Sequence, residues 1–148
     1  MYRNILVSTD GSKLSAKAIR TAAQLAEAFG AKITGVYVIS PYPAQVYGEV
    51  VAYAPQMTAQ RYKELTAREA KKALAAVEIE AQSSGAPCAT VSITNDHPWR
   101  GIVRVALARK CDLIVMASHG RRGLAGLLLG SETSKVLTHS KIPVLVCR

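Results

Sequence analysis

The chain has 148 residues, a hydrophobic fraction of 49% and a mean hydropathy of +0.13, which suits one domain of residues 1–148 with a real core and excludes a disordered polymer. Its formal charge of +9 permits a nucleic-acid partner, but the cations are scattered along polar helix faces. With only one Phe and one Trp, and no strand carrying paired aromatics, we expect none. No apolar run approaches the about 20 residues of a membrane span, and the N-terminus lacks a signal-peptide stretch, so the expected location is cytoplasmic, with no membrane partner.

Residues 3–9 read as a buried strand through Ile5, Leu6 and Val7, closed by the turn Asp10-Gly11-Ser12. A helix follows, with Leu14, Ala18, Ala22, Leu25 and Phe29 on one face and Gly30 at its C-terminal cap. Residues 33–39 form a second strand. Residues 40–56 hold three prolines and no clean period, and read as a loop in which Tyr42, Tyr47 and Tyr53 either cover a ligand or pack as surface aromatics. A long helix is expected over 58–83, with Ala70, Leu74, Val77 and Ala81 inward.

Residues 89–94 are a third strand. Asn95-Asp96-His97-Pro98 opens a helix, with Asp96 or Asn95 as its cap and with Trp99, Ile102, Val103, Ala106 and Leu107 on its inner face. Residues 112–117 form a fourth strand, 131–139 a short helix and 143–147 a closing strand. Cys88, Cys111 and Cys147 form no CxxC pair and are odd in number, so buried reduced thiols are expected instead of a disulfide or zinc framework.

Strands alternating with helices specify a parallel sheet covered on both faces, and right-handed crossovers make it doubly wound. In the order 3-2-1-4-5 the ends of strands one and four meet at the switch point, where such sheets bind ligands. Ser8, Thr9 and Asp10 then share an edge with Met116, Ala117, Ser118, His119 and Gly120.

The stretch 117–134 suits a polyphosphate. Gly120, Gly123, Gly126 and Gly130 allow close backbone approach, and Gly130-Ser131 opens a helix whose N–H groups and dipole favour an anion. Hydroxyls of Ser131, Thr133 and Ser134 add donors, and Arg121 and Arg122 add charge. A flexible glycine-rich loop before a capped helix fits the same residues equally well. There is no GxxxxGK[ST] and no GxGxxG after strand one, which excludes a P-loop and a dinucleotide fingerprint. Asp10 either accepts from ribose hydroxyls or shapes the turn with Gly11. His119 either donates to a phosphate or makes one backbone bond, and no partner acid or nucleophile at a telling spacing supports catalysis. No catalytic residue is assigned.

Ala117-Ser118-His119-Gly120, nine residues, then Gly130-Ser131 resembles the G-x2-G-x9-G-[S/T] motif of the ATP-binding branch of the universal stress protein family. The opening Ile5-Leu6-Val7-Ser8-Thr9-Asp10-Gly11-Ser12 and the ending Ser140-Lys141-Ile142-Pro143-Val144-Leu145-Val146 are also similar to that family's. The resemblance implies a Rossmann-like, adenine nucleotide alpha hydrolase-like α/β/α sandwich around a five-stranded parallel sheet. It implies ATP as ligand, accompanied by Mg²⁺ or Mn²⁺, with Asp10 and Val38 at the nucleoside. Ser118, His119, Gly120, Gly130, Ser131, Glu132 and Thr133 would lie at the phosphates. It further implies a homodimer through about 143–147 and a role in stress response or signalling with little or no turnover.

The motif's first glycine is Ala117 here, which costs little at negative φ and roughly 1 kcal/mol or more at positive φ. Two other readings stay open on the sequence. One is slow ATP hydrolysis or nucleotidyl transfer using His119 and a metal; the other is a nucleotide-free dimeric interaction module that docks a partner through 121–129.

Overall fold

The computed structural model describes residues 1–43, 57–120 and 129–148. Five strands form one parallel sheet: β1 (Asn4–Ser8), β2 (Lys32–Ile39), β3 (Cys88–Thr94), β4 (Leu113–Ala117) and β5 (Val144–Cys147), in the order β3-β2-β1-β4-β5. Among the described residues four helices cover it: α1 (Lys13–Phe29), α2 (Ala59–Ser83), α3 (Pro98–Ala108) and α4 (Ser131–His139). This is the doubly wound order expected from the alternation of elements.

Side chains of β1 alternate between two cores, as the pleat requires. Ile5 and Val7 join Ala18, Ile19 and Ala22 of α1 and Val77 and Ala81 of α2 on one face. Leu6 joins Ile102, Val105 and Ala106 of α3 and Val136 of α4 on the other. All three β1 residues are fully buried, which accounts for the unbroken apolar run in a strand covered on both sides.

Helix boundaries follow local chemistry. The Ser12 side chain accepts from Ser15 N at the start of α1, and Thr58 accepts from Arg61 N at the start of α2. Gly30 takes the left-handed conformation (φ 63°) that ends α1, as its position predicts.

The inner face of α1 is Ser15, Ala18, Ile19, Ala22, Ala23 and Ala26, while Leu14, Leu25 and Phe29 flank it half-buried. Small residues let α1 sit close on the sheet, so the bulky side chains that suggested the face lie at its margin. In α3 the buried residues are Gly101, Ile102, Val105 and Ala106, and Leu107 is 60% exposed, against the expected face. Gly101 makes that approach: a Cβ there would lie 3.0 Å from Ile93 and Val38. The cap of α3 is His97, not Asp96 or Asn95; the Asn95 carboxamide oxygen instead accepts from His97 N, 3.0 Å.

Cys111 and Cys147 are buried, but Cys88 is exposed, because it begins the edge strand β3, which has a neighbour on one side only. Burial, and secondarily the charge of Glu78, push the Cys88 thiol above its ordinary pKa.

Candidate functional site

The carboxyl ends of β1, β2 and β4 open into a cleft of about 690 Å³ floored by the sheet. That volume falls within the range of small-molecule and cofactor sites. The cleft is lined by Ser8, Thr9 and Asp10 after β1, Val38 on β2, Met116, Ala117, His119 and Gly120 at β4, and Gly130, Ser131, Glu132 and Thr133 at α4, but not by Ser118 or Ser134.

Ser118 is 2% exposed and holds the loop in place. Its N–H donates to Cys147 O (2.7 Å), and its carbonyl accepts from Gly130 N (2.7 Å). Its hydroxyl meets His119 Nδ1 at 3.1 Å, which orients the imidazole at the cleft wall. Thr133, also 2% exposed, commits its hydroxyl hydrogen to Ala117 O at 2.9 Å, so it offers the cleft an amide and oxygen lone pairs, not an O–H donor. These bonds fasten α4 to the end of β4 independently of any ligand.

Gly120 and Gly130 serve close approach within the loop itself. A Cβ at Gly120 would stand 2.7 Å from Asp10 Oδ2, and one at Gly130 would stand 3.1 Å from His119 Cα and 3.3 Å from Ser118 O. Ala117 lies in β4, paired with Cys147, and the one non-glycine residue with positive φ among the described residues is Lys110. Alanine is therefore unstrained where the motif has its first glycine.

Asp10 does the work of the turn: its Oδ1 accepts from Ser12 N, 3.0 Å. Its other oxygen faces Gly120. Thr9 accepts from Gly11 N (3.1 Å) and lies 3.0 Å from the Ser15 hydroxyl. The turn after β1 is thus rigid, with the carboxylate held between the β1 and β4 loops.

Two helices start at the cleft, and their ends differ. Helix α4 begins after Gly130, which has no side chain to cap it, and its first turn, whose leading amides helix geometry leaves without intrahelical acceptors, lines the cleft. Helix α3 begins with Pro98, which has no N–H. Its Trp99 N donates to Glu132 Oε2 (2.9 Å), and Arg100 N and Gly101 N turn back to His97 O (3.0 and 3.3 Å). Among the described residues the Trp99 and Arg100 amides of α3 thus have acceptors, whereas α4 shows the ordinary first helical bond, Ser134 N to Gly130 O (3.0 Å), and no side-chain cap, a kind of helix start that favours an anion.

Sequence reasoning missed Ser40, Asp96, Pro98 and Ile102, which wall the β2–β3 side of the cleft, and Ser15, Val36 and Tyr37 beneath it. The β3–α3 turn reaches the cleft because its strand is two places from β1, a fact of topology rather than of local pattern. Among the described residues no group of three His, Cys, Asp or Glu could hold a metal ion. Arg121, Arg122, Gly123, Gly126, Tyr47, Tyr53 and most of the 40–56 segment lie outside the described residues. Tyr42 packs edge-on against Tyr62, with ring centroids 5.5 Å apart. No described helix is long and apolar enough to cross a membrane.

A family model described as the universal stress protein family matches residues 1–148. Universal stress protein MJ0531 of Methanocaldococcus jannaschii is 33% identical over 153 residues, spanning 100% of this chain and 83% of its own. A universal stress protein of Thermus aquaticus is 30% identical over 149 residues, spanning 100% of both chains. Among solved structures, that of protein MJ0577 has a TM-score of 0.78 at 27% identity, covering 99% of this chain and 96% of its own. A universal stress protein in complex with cAMP has a TM-score of 0.68 at 25% identity, covering 99% and 97%. The sequence motif, the strand order and these full-length matches converge: the chain belongs to the universal stress protein family.

Proposed function

We propose that the chain is an ATP-binding member of its family that acts through nucleotide-dependent conformation or partner binding, with little or no turnover. The observation that carries the proposal is the N-terminus of α4, which has no side-chain cap and opens at Gly130 and Ser131 into the cleft that Asp10 and Gly120 also line. The dipole and first-turn amides favour phosphate oxygens at that end. Asp10 and the Val38 region suit the nucleoside, because a carboxylate is best kept from phosphates. The cAMP complex of a 25% identical universal stress protein supports an adenine nucleotide as the ligand class.

In this reading a divalent ion is part of the ligand and arrives with the triphosphate, since Mg²⁺ commonly keeps its waters and leans on substrate phosphates. His119 serves as a phosphate donor. One domain over residues 1–148, a cytoplasmic location and no nucleic-acid partner complete the proposal.

We also read β5 as the dimer surface. It forms one edge of the sheet, and its Leu145 is 38% exposed. An exposed strand edge is a template for pairing with a second copy. Leu145→Lys should shift a dimer to monomer in sedimentation; an unchanged dimer would place the interface elsewhere.

Denaturing the purified protein and analysing the supernatant, together with calorimetry using Mg-ATP at millimolar concentration, tests the main reading. Released adenine nucleotide or a saturable heat is expected. Neither would leave the chain as a nucleotide-free interaction module.

A further inference from the structure

Glu132 sits in the first turn of α4, at the end where the phosphates are placed above. Its charge is turned away from that task. Oε2 accepts from Trp99 N at 2.9 Å and Oε1 from Lys135 Nζ at 3.1 Å. The Trp99 amide belongs to α3, whose own cap residue His97 makes no side-chain capping bond. A carboxylate at this point meets the positive ends of two helices at once. Because Pro98 and Ile102 of α3 form one wall of the cleft and Gly130 and Ser131 of α4 another, the bond ties the two walls together.

We infer that Glu132 is a positioning residue that braces α3 against α4 and so sets the width of the nucleotide cleft, without itself contacting the nucleotide. The inference rests on the nucleotide reading above. Trp99 is the only tryptophan of the chain and the residue at the far end of the brace. Its ring stacks on the His139 imidazole, centroids 4.5 Å apart, with the Arg100 guanidinium 5.2 Å from its centre. Its emission therefore reports whether α3 is seated on α4.

A bracing role and a direct role separate on ligand choice. Glu132→Gln keeps an oxygen acceptor for Trp99 N and removes the charge. Glu132→Met keeps length and helix propensity and removes the acceptor. ATP and adenosine affinities are measured for wild type and both variants, with Trp99 emission recorded with and without ligand. Bracing predicts that Glu132→Gln changes ATP and adenosine affinity by the same factor, the two agreeing within about twofold. It predicts that Glu132→Met weakens both by a similar factor, on the order of tenfold, with a shifted Trp99 emission in the ligand-free protein.

A change in ATP affinity alone in Glu132→Gln overturns the inference and gives Glu132 a direct place at the phosphates or their metal ion. Wild-type affinities and emission in Glu132→Met also overturn it. Should Glu132→Met not fold, the Gln variant still decides, equal affinities for both ligands supporting the brace and an ATP-selective change refuting it. Wild-type protein that binds neither ligand ends the nucleotide reading and this inference together, whereas binding that ignores both substitutions ends this inference alone.

Discussion

Helices α3 and α4 both begin at the cleft, on the same face of the sheet, yet one start is closed and the other open. At α3 the donors are consumed by a neighbouring carboxylate and by the backbone of His97. At α4 a glycine cap supplies no side chain, and the hydroxyl two positions into the helix is turned back to Ala117. Identical backbone physics thus gives a structural joint in one place and, in the proposed reading, a place for phosphates in the other. What decides is the side chain that reaches each helix end, not the helix itself.

The comparison breaks most severely if the open end is filled. Gly130→Val would set a Cβ against backbone atoms of His119 and Ser118, which cannot swing aside as a side-chain tip can. A loss of about 1–3 kcal/mol of stability and the disappearance of measurable ATP binding are expected, read by thermal melting and calorimetry. A variant with wild-type affinity would show that the loop does not need its close packing.

Charging the open end sharpens it. Ser131→Asp places a carboxylate in the first turn of α4, where the dipole stabilises the helix by about 0.3–1 kcal/mol. The same charge should weaken ATP about tenfold or more and leave adenosine unchanged. Higher melting temperature with lower ATP affinity is the expected pair; loss of adenosine affinity as well would argue against phosphates at α4.

Thr133→Val removes the bond that fastens α4 to β4. The Ala117 carbonyl loses a buried donor, so a cost of about 1–3 kcal/mol is expected in denaturant unfolding. No loss would mean that the fastening lies mainly in the Ser118–Gly130 backbone bond.

The smallest change concerns the closed end. His97→Ser offers α3 the side-chain cap it lacks, and stability should rise by up to about 1 kcal/mol. A decrease would show that His97 has a contact more valuable than a cap.

Strand order was legible, as was the sheet edge at which the cleft opens, because they depend on local signals that the fold merely assembles. Ile5-Leu6-Val7 announces a doubly covered strand, and the alternation of elements places its end beside Ala117. Long-range geometry was not legible. The Glu132 bond to Trp99 spans 33 residues, and Asp96 enters the cleft only because β3 folds back beside β2.

Ser118 illustrates a different limit. A serine in a phosphate-type motif suggests a ligand donor, but burial behind Gly130 makes it a pin of the loop. Glycines 120 and 130 were expected to let a ligand approach the backbone; the close neighbours the structure shows are Asp10 at Gly120 and His119 and Ser118 at Gly130. For α1, Ala18 and Ala22 of the expected face are fully buried, while its large members Leu14, Leu25 and Phe29 lie at the margin, since the tightest packing belongs to small residues.

The central claim is that the open start of α4 holds phosphates while the β1–β2 side holds the nucleoside. Its most direct test is the affinity of the wild-type protein for adenosine, AMP, ADP and ATP under one salt condition. The account predicts stepwise tightening as phosphates are added, diminishing as salt rises. Equal affinity across the series, or adenosine binding tighter than ATP, would contradict it.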